Sequence, residues 1–179
     1  MKDEKQALRK KMSRLKKEVP TGEKIRRSKS ILEKVEKLEA FQQSHVVMAY
    51  WSMSDEVHTH DFIKMWSQSK AIVLPVVKGD QLELRFFEGE NSLIPGERYG
   101  IMEPAGTLLQ DVYQIDMIIV PGVAFDKQNN RLGRGKAYYD KLLKKSRAYK
   151  AGICFDFQIV AQVPVDENDV PVNVVVTED

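Results

Sequence analysis

At 179 residues the chain is long enough for one domain with a real core, and a net charge of +2 is too weak to suggest a nucleic-acid binder. One cysteine, Cys154, excludes a disulfide framework, and no apolar run approaches membrane-spanning length. The first five residues are mostly charged and lead into no apolar segment of the secretory kind, so a cytoplasmic protein is expected.

Leu8, Met12, Leu15 and Val19 recur at steps of four, three and four, which predicts an amphipathic helix over 3–19. Its other face carries Lys5, Arg9, Lys10, Lys11, Arg14, Lys16 and Lys17, most of which read as solvated. Lys5 and Arg9 are the exception: four residues apart on one face, they can grip a single anion. Pro20-Thr21-Gly22 ends this helix, and Thr21 is a plausible cap for a second one running to about Ala40. Val46–Tyr50 reads as the first strand. The loop Trp51–Glu56 at its carboxyl end lies where open α/β sheets bind ligands. Trp51 and Met53 suit the wall of a flat-ring site, and Glu56 suits ring N–H donors. The plainer alternatives are a buried tryptophan and a helix-capping acid.

His58 and His60 form an H-x-H pair with no third ligand nearby, so no metal is expected there. Thr59 is expected to cap a helix through Phe62, Ile63 and Trp66. Ala71–Val77 reads as a strand interrupted by Pro75, and Leu82–Phe87 alternates as an edge strand does. Residues 91–114, rich in Gly and Pro, read as loop, with Glu103-Pro104 as a turn. Buried strands are expected at 115–120, 150–155 and 172–176, with Cys154 in the core. No linker, repeat or low-complexity run interrupts the chain. Residues 1–179 therefore read as a single α/β domain layered around a largely parallel sheet.

The chemistry concentrates between Val120 and Leu143. An apolar strand leads into Gly122, Gly133 and Gly135, with Arg131, Arg134 and Lys136 interleaved, and a helix begins near Lys136. Glycines allow close backbone approach to a phosphate, a helix start adds positive potential, and the cations neutralise the anion. The spacing fits neither the P-loop nor the dinucleotide fingerprint. Asp140 follows in the first helical turns, with Lys136 and Lys144 each four residues away, so a helix salt bridge is its plain reading. No serine elbow and no cysteine in a basic loop is present, so a covalent enzyme intermediate is not expected.

Read whole, P-G-V-A-F-D at 121–126 and N-R-L-G-R-G-K-A-Y-Y-D at 130–140 resemble the signature of the 5-formyltetrahydrofolate cyclo-ligases, also called 5,10-methenyltetrahydrofolate synthetases. The resemblance extends to Lys5, Leu8-Arg9, Tyr50–Glu56, Ile101–Pro104 and the stretch from Val163 to Asp169. It implies a three-layer α/β/α domain, similar to some sugar-phosphate isomerases and CoA transferases. It also implies ATP- and magnesium-dependent conversion of 5-formyltetrahydrofolate to 5,10-methenyltetrahydrofolate, releasing ADP and phosphate.

On this resemblance ATP is held by Lys5, Arg9, Arg131, Leu132, Gly133, Arg134, Gly135, Lys136, Tyr138 and Tyr139. Folate is held by Arg9, Trp51, Met53, Glu56, Arg134 and Tyr138. Arg134 and Lys136 are the catalytic pair, with exchangeable roles, and Asp140 and Asp169 are magnesium ligands. The expected partners are reduced folate and ATP, acting on a monomer, without nucleic acid or membrane. Two positions depart from the family pattern: Ala137 stands where glycine is common, and Asn173 where some members have aspartate. The weighed alternatives are a sugar-phosphate or CoA-ester enzyme of the same fold, which would not need Lys5, Arg9 or magnesium, and a nucleic-acid module built on the basic helix.

Overall fold

The computed structural model describes residues 1–96 and 100–179. The chain opens with α1 (Lys2–Glu18), α2 (Thr21–Glu36) and α3 (Glu39–Gln43), then β1 (Val46–Met48), α4 (His60–Trp66), β2 (Ala71–Lys78) and β3 (Gln81–Phe86). There follow β4 (Leu93–Pro95), β5 (Met102–Pro104), β6 (Met117–Pro121), β7 (Ala124–Asp126) and β8 (Arg131–Leu132). The chain closes with α5 (Tyr138–Lys145), β9 (Tyr149–Ile153), β10 (Ile159–Val160) and β11 (Val174–Val176).

The main sheet has the order β11-β9-β6-β1-β2-β3 and is parallel except for β3, which lies antiparallel at one edge. Its strands are apolar on both sides because both faces are covered. In β6, Met117 and Ile119 face a cluster with Ile31 and Val35 of α2, Phe41 of α3 and Ile63 of α4. Ile118 and Val120 face the opposite cluster, with Phe125 and with Leu143 of α5. This strict alternation makes three layers: α2–α4, sheet, α5. Cys154 is in the core, where burial pushes its thiol pKa up.

Pro75 sits within β2, beyond the last β1 partner at Val73, where no parallel neighbour needs its missing N–H. The Phe125 ring lies between Gly122 and Gly152: a Cβ on either glycine would come within 2.5 Å of it. α1 lies apart from the main sheet, and its Met12 packs with Val123, Ala124, Leu132 and Val163 on the small sheet β10-β7-β8.

Several sequence expectations change. α2 stops at Glu36, because Leu38 leaves the helix to pack partly buried against the core and opens the short α3 that carries Phe41 inward. Thr21 makes no capping bond. Nor does Thr59: its hydroxyl donates to the Tyr50 carbonyl and accepts from the Ser52 N–H, closing the 50–59 loop instead. The expected loop over 91–114 contains the antiparallel pair β4–β5; residues 97–99 of it lie outside the described residues. α5 begins at Tyr138 rather than near Lys136.

Asp126 shapes the turn that leads to β8. It is 1% exposed, and its carboxylate accepts from the N–H of Gln128, Asn130 and Val163 and from Asn130 Nδ2, at 2.9–3.1 Å. Burial, the largest single influence, pushes its pKa up, but these donors outweigh it and hold the pKa below the ordinary 3.8. An aspartate depressed in this way stabilises the fold above its unfolded pKa. That contribution is lost as pH falls through the folded value. We predict that Asp126→Asn, which sets an amide donor against these donors, costs about 1–3 kcal/mol at neutral pH. Urea unfolding of both proteins at several pH values checks this, with the gap shrinking below pH 3.8.

Candidate active site

A cavity of about 360 Å³ opens at the carboxyl ends of β1, β2 and β6, where parallel sheets place ligands. Trp51, Met53, Leu74, Val77, Leu82 and Met102 supply apolar wall, and Glu56, Glu103, Arg131, Arg134, Lys136 and Asp140 supply charge. The volume suits a small organic ligand of several rings. A second cavity of about 200 Å³ lies between α1 and the glycine loop, lined by Arg9, Ser13, Lys16, Asp55, Val123 and Arg134. Arg134 belongs to both.

The ring of Trp51 stacks on His60 at 3.9 Å and 10°, with Phe87 5.9 Å beyond it. His60 Nε2 also lies 2.9 Å from the Ser52 carbonyl. The H-x-H pair therefore buttresses the cavity wall. Glu56 is both a loop-closing acid and a wall residue: Oε2 accepts from the Met53 N–H at 2.9 Å, and Oε1 from Arg134 Nη2 at 3.0 Å. Arg134 Nη2 also reaches both oxygens of Asp55, at 2.9 and 3.1 Å. Burial pushes the Asp55 pKa up most strongly, but Lys16 and Arg134 outweigh it and hold the pKa below the ordinary value.

The glycine loop is shaped by arginines packed against it. A Cβ at Gly133 would lie 2.9 Å from Arg131 Nη1, and one at Gly135 would lie 3.3 Å from Arg9 Cζ. Arg131 is 4% exposed; it donates to Asp140 Oδ1 at 2.9 Å and to the Pro121 carbonyl at 3.2 Å, and its guanidinium stands 5.7 Å from the Tyr139 ring centre. Asp140 thus pairs with Arg131. Neither Lys136 nor Lys144 takes the helix salt bridge, because Asp140 points into the fold while those lysines are exposed.

Lys5 and Arg9 share a helix face but turn to different partners. Lys5 bonds Asp166 at 2.7 Å and Asp169 at 2.5 Å, whereas Arg9 Nε donates to the Gly133 carbonyl at 2.8 Å. Desolvation opposes most strongly, yet the two carboxylates together raise the Lys5 pKa. Asp140 and Asp169 flank one bend, since Asp140 Oδ1 also accepts from the Val170 N–H at 3.4 Å. Among the described residues no group of three or more His, Cys, Asp or Glu side chains is arranged to hold a metal. Leu132 is a core residue beneath the site. Tyr138 lines the larger cavity, and its hydroxyl donates to the Gly79 carbonyl at 3.3 Å. Asn173 accepts from the Lys150 N–H at 2.8 Å on the far sheet edge.

Residues 1–178 match the 5-formyltetrahydrofolate cyclo-ligase family. The chain belongs to that family. It is 35% identical over 173 residues to the mouse 5-formyltetrahydrofolate cyclo-ligase, covering 88% of this chain and 85% of the mouse protein. The solved 5,10-methenyltetrahydrofolate synthetase of Aquifex aeolicus superposes with a TM-score of 0.87 at 35% identity, over 97% of this chain and 89% of that one. The synthetase of Mycoplasma pneumoniae superposes at 0.78 with 25% identity, over 98% and 99%.

Three charged residues of the site were not assigned to it from the sequence. Glu103 lies buried in β5, and its carboxylate accepts from the Val77 N–H at 3.2 Å at the cavity wall. Asp55 sits one residue before the acid singled out. Lys16 is 4% exposed, although it lies on the basic face of α1. A signal for Lys16 exists: it lies seven residues beyond Arg9, on the same helix stripe.

Ala137 has φ 55°, the left-handed conformation, where glycine carries no Cβ penalty. That accounts for the family's usual glycine in backbone terms. We predict that Ala137→Gly stabilises the chain by about 0.5–1 kcal/mol, the left-handed penalty less the extra unfolded-state freedom of glycine. Thermal and urea unfolding would show it, and a lower melting temperature would contradict it.

Proposed function

We propose that this chain converts 5-formyltetrahydrofolate to 5,10-methenyltetrahydrofolate, consuming ATP and releasing ADP and phosphate. One observation carries the reading: a single guanidinium, Arg134, stands between an apolar cavity edged with carboxylates and a second cavity dominated by cations. The first suits a pterin ring between Trp51, Met53 and the β2–β3 wall, with Glu56 accepting from ring N–H groups. The second suits phosphate.

The formyl oxygen on N5 is amide-like and a poor leaving group. Transfer of the terminal phosphoryl group of ATP forms an O–P bond at that oxygen, and ADP leaves with the electrons of the broken P–O bond. The N10 lone pair then attacks the activated formyl carbon. N10 loses its proton, and phosphate departs with the C–O electrons, leaving the cationic N5–CH–N10 bridge. In phosphoryl transfer positioning and charge stabilisation dominate, and holding two reacting groups together can contribute about 7–11 kcal/mol. Arg134 and Lys136 face the cavity and stabilise the phosphoryl group in flight. Arg9, Gly133 and Gly135 shape the phosphate side of the loop. Lys5 and Arg131 act from beneath it, through Asp169 and Asp140.

Asp140 and Asp169 offer carboxylate oxygen, the donor chemistry that magnesium accepts. Two such ligands suit an ion that keeps several waters and shares phosphate oxygens. When bound, the ion neutralises charge on the phosphates. Each carboxylate already has an internal cation, so its affinity for magnesium depends on Lys5 and Arg131 as well. We predict that Asp140→Asn lowers turnover and raises the magnesium concentration needed for half-maximal rate. A magnesium titration with coincident curves for variant and wild type would remove Asp140 from the metal site.

The reading itself is tested by the absorbance of the methenyl product with and without ATP. With the formyl oxygen carrying a heavy isotope, mass spectrometry should find the label in the released phosphate. Product formed with unlabelled phosphate would refute direct phosphorylation of the formyl oxygen.

A further inference from the structure

Lys16 is the one lysine of α1 that is buried, and it lines the smaller cavity with Arg9, Ser13, Asp55 and Arg134. An ammonium carries three donors and, out of water, needs acceptors for them. Among the described residues its hydrogen-bond acceptor is Asp55 Oδ2, at 3.4 Å. That is long for a charge-assisted bond, which runs to about 2.7–2.9 Å. Asp55 is shared, since both of its oxygens are also drawn to Arg134 at 2.9 and 3.1 Å. Two cations thus share one carboxylate, and the worse served of them is the more deeply buried. Desolvation, the largest influence, accordingly holds the Lys16 pKa below the ordinary lysine value, with Asp55 opposing.

We propose that Lys16 is a phosphate-binding residue of the nucleotide site, completing with Arg9 and Arg134 a three-cation pocket for a phosphoryl group. An anion there would give Nζ the acceptors that Asp55 does not, and would share Arg134 with Glu56 across the seam between the cavities. Lys16 lies seven residues from Arg9, two helical turns along one stripe, so α1 presents both heads to the same space. Ser13 lies between them on that stripe and adds a hydroxyl donor. The inference rests on the reading that ATP is used in this cleft.

The test is equilibrium binding of ATP and of inorganic tripolyphosphate to the full chain as wild type, Lys16→Met and Lys16→Arg, alongside 5-formyltetrahydrofolate binding. A lost charged contact to phosphate predicts that Lys16→Met weakens ATP and tripolyphosphate alike by about tenfold or more. Folate binding should remain within twofold, and Lys16→Arg should recover most of the loss. Unchanged ATP affinity in a folded Lys16→Met protein overturns the proposal. So does an ATP loss that tripolyphosphate does not share, or a folate loss as large as the ATP loss. If Lys16→Met does not fold, Lys16→Gln takes its place with the same criteria. A wild-type chain that binds neither ATP nor tripolyphosphate overturns the reading of the cleft itself, which is a different result from a variant that merely matches wild type.

Discussion

A guanidinium taken out of water must be given an anion, and Arg131 is given Asp140. The two residues sit at opposite ends of the glycine loop, one in β8 and the other in the first turn of α5. Their pairing fixes the span of the loop and therefore where Gly133, Arg134, Gly135 and Lys136 stand. The Pro121 carbonyl takes another guanidinium nitrogen, tying the same arginine to the end of the central strand β6. Breaking a buried pair of this kind can cost about 3–5 kcal/mol, because the remaining charge stays buried without its partner. The loop is thus held from below by ionic contacts, while Arg134 and Lys136 line the larger cavity above it.

Above the loop the charges are arranged in series. Arg134 touches Glu56, which lines the larger cavity, and Asp55, which lines the smaller. Whatever draws Arg134 into the smaller cavity draws on its contact with Glu56, so the two cavities are electrostatically coupled through one side chain. No moving domain is needed for that coupling.

Much of this was legible in the sequence, for identifiable reasons. The buried strand before Pro121 is continuous Met-Ile-Ile-Val, which only a strand covered on both faces requires. The edge character of Leu82–Phe87 showed in its alternation. The 121–140 stretch and the Trp51–Glu56 loop fall on the cavities because their residue types announce their chemistry. What stayed hidden depends on tertiary partners. Only its spacing from Arg9 sets Lys16 apart from Lys17, yet one is buried against Asp55 and the other is exposed. Asp140 looked like a partner for helix lysines because Arg131, nine residues earlier, approaches it only after the chain has turned back. Pro and Gly in 91–114 suggested loop, but Leu93–Pro95 and Met102–Pro104 pair across the turn between them. Thr59 resembled a cap and instead holds a loop, since its hydroxyl found the Tyr50 carbonyl first.

The contact between Lys5 and the 166–169 bend joins residues 161 and 164 positions apart. α1 otherwise packs on the small sheet formed by residues between 124 and 160. A ribosome therefore makes the first helix long before most of its partners exist. Contacts so distant along the chain carry a high loop-closure cost and tend to form late. During synthesis α1 is a short, highly charged segment whose solubility does not depend on the rest of the fold. Docking of α1 completes the cationic side of the cleft, which therefore needs both ends of the chain in place.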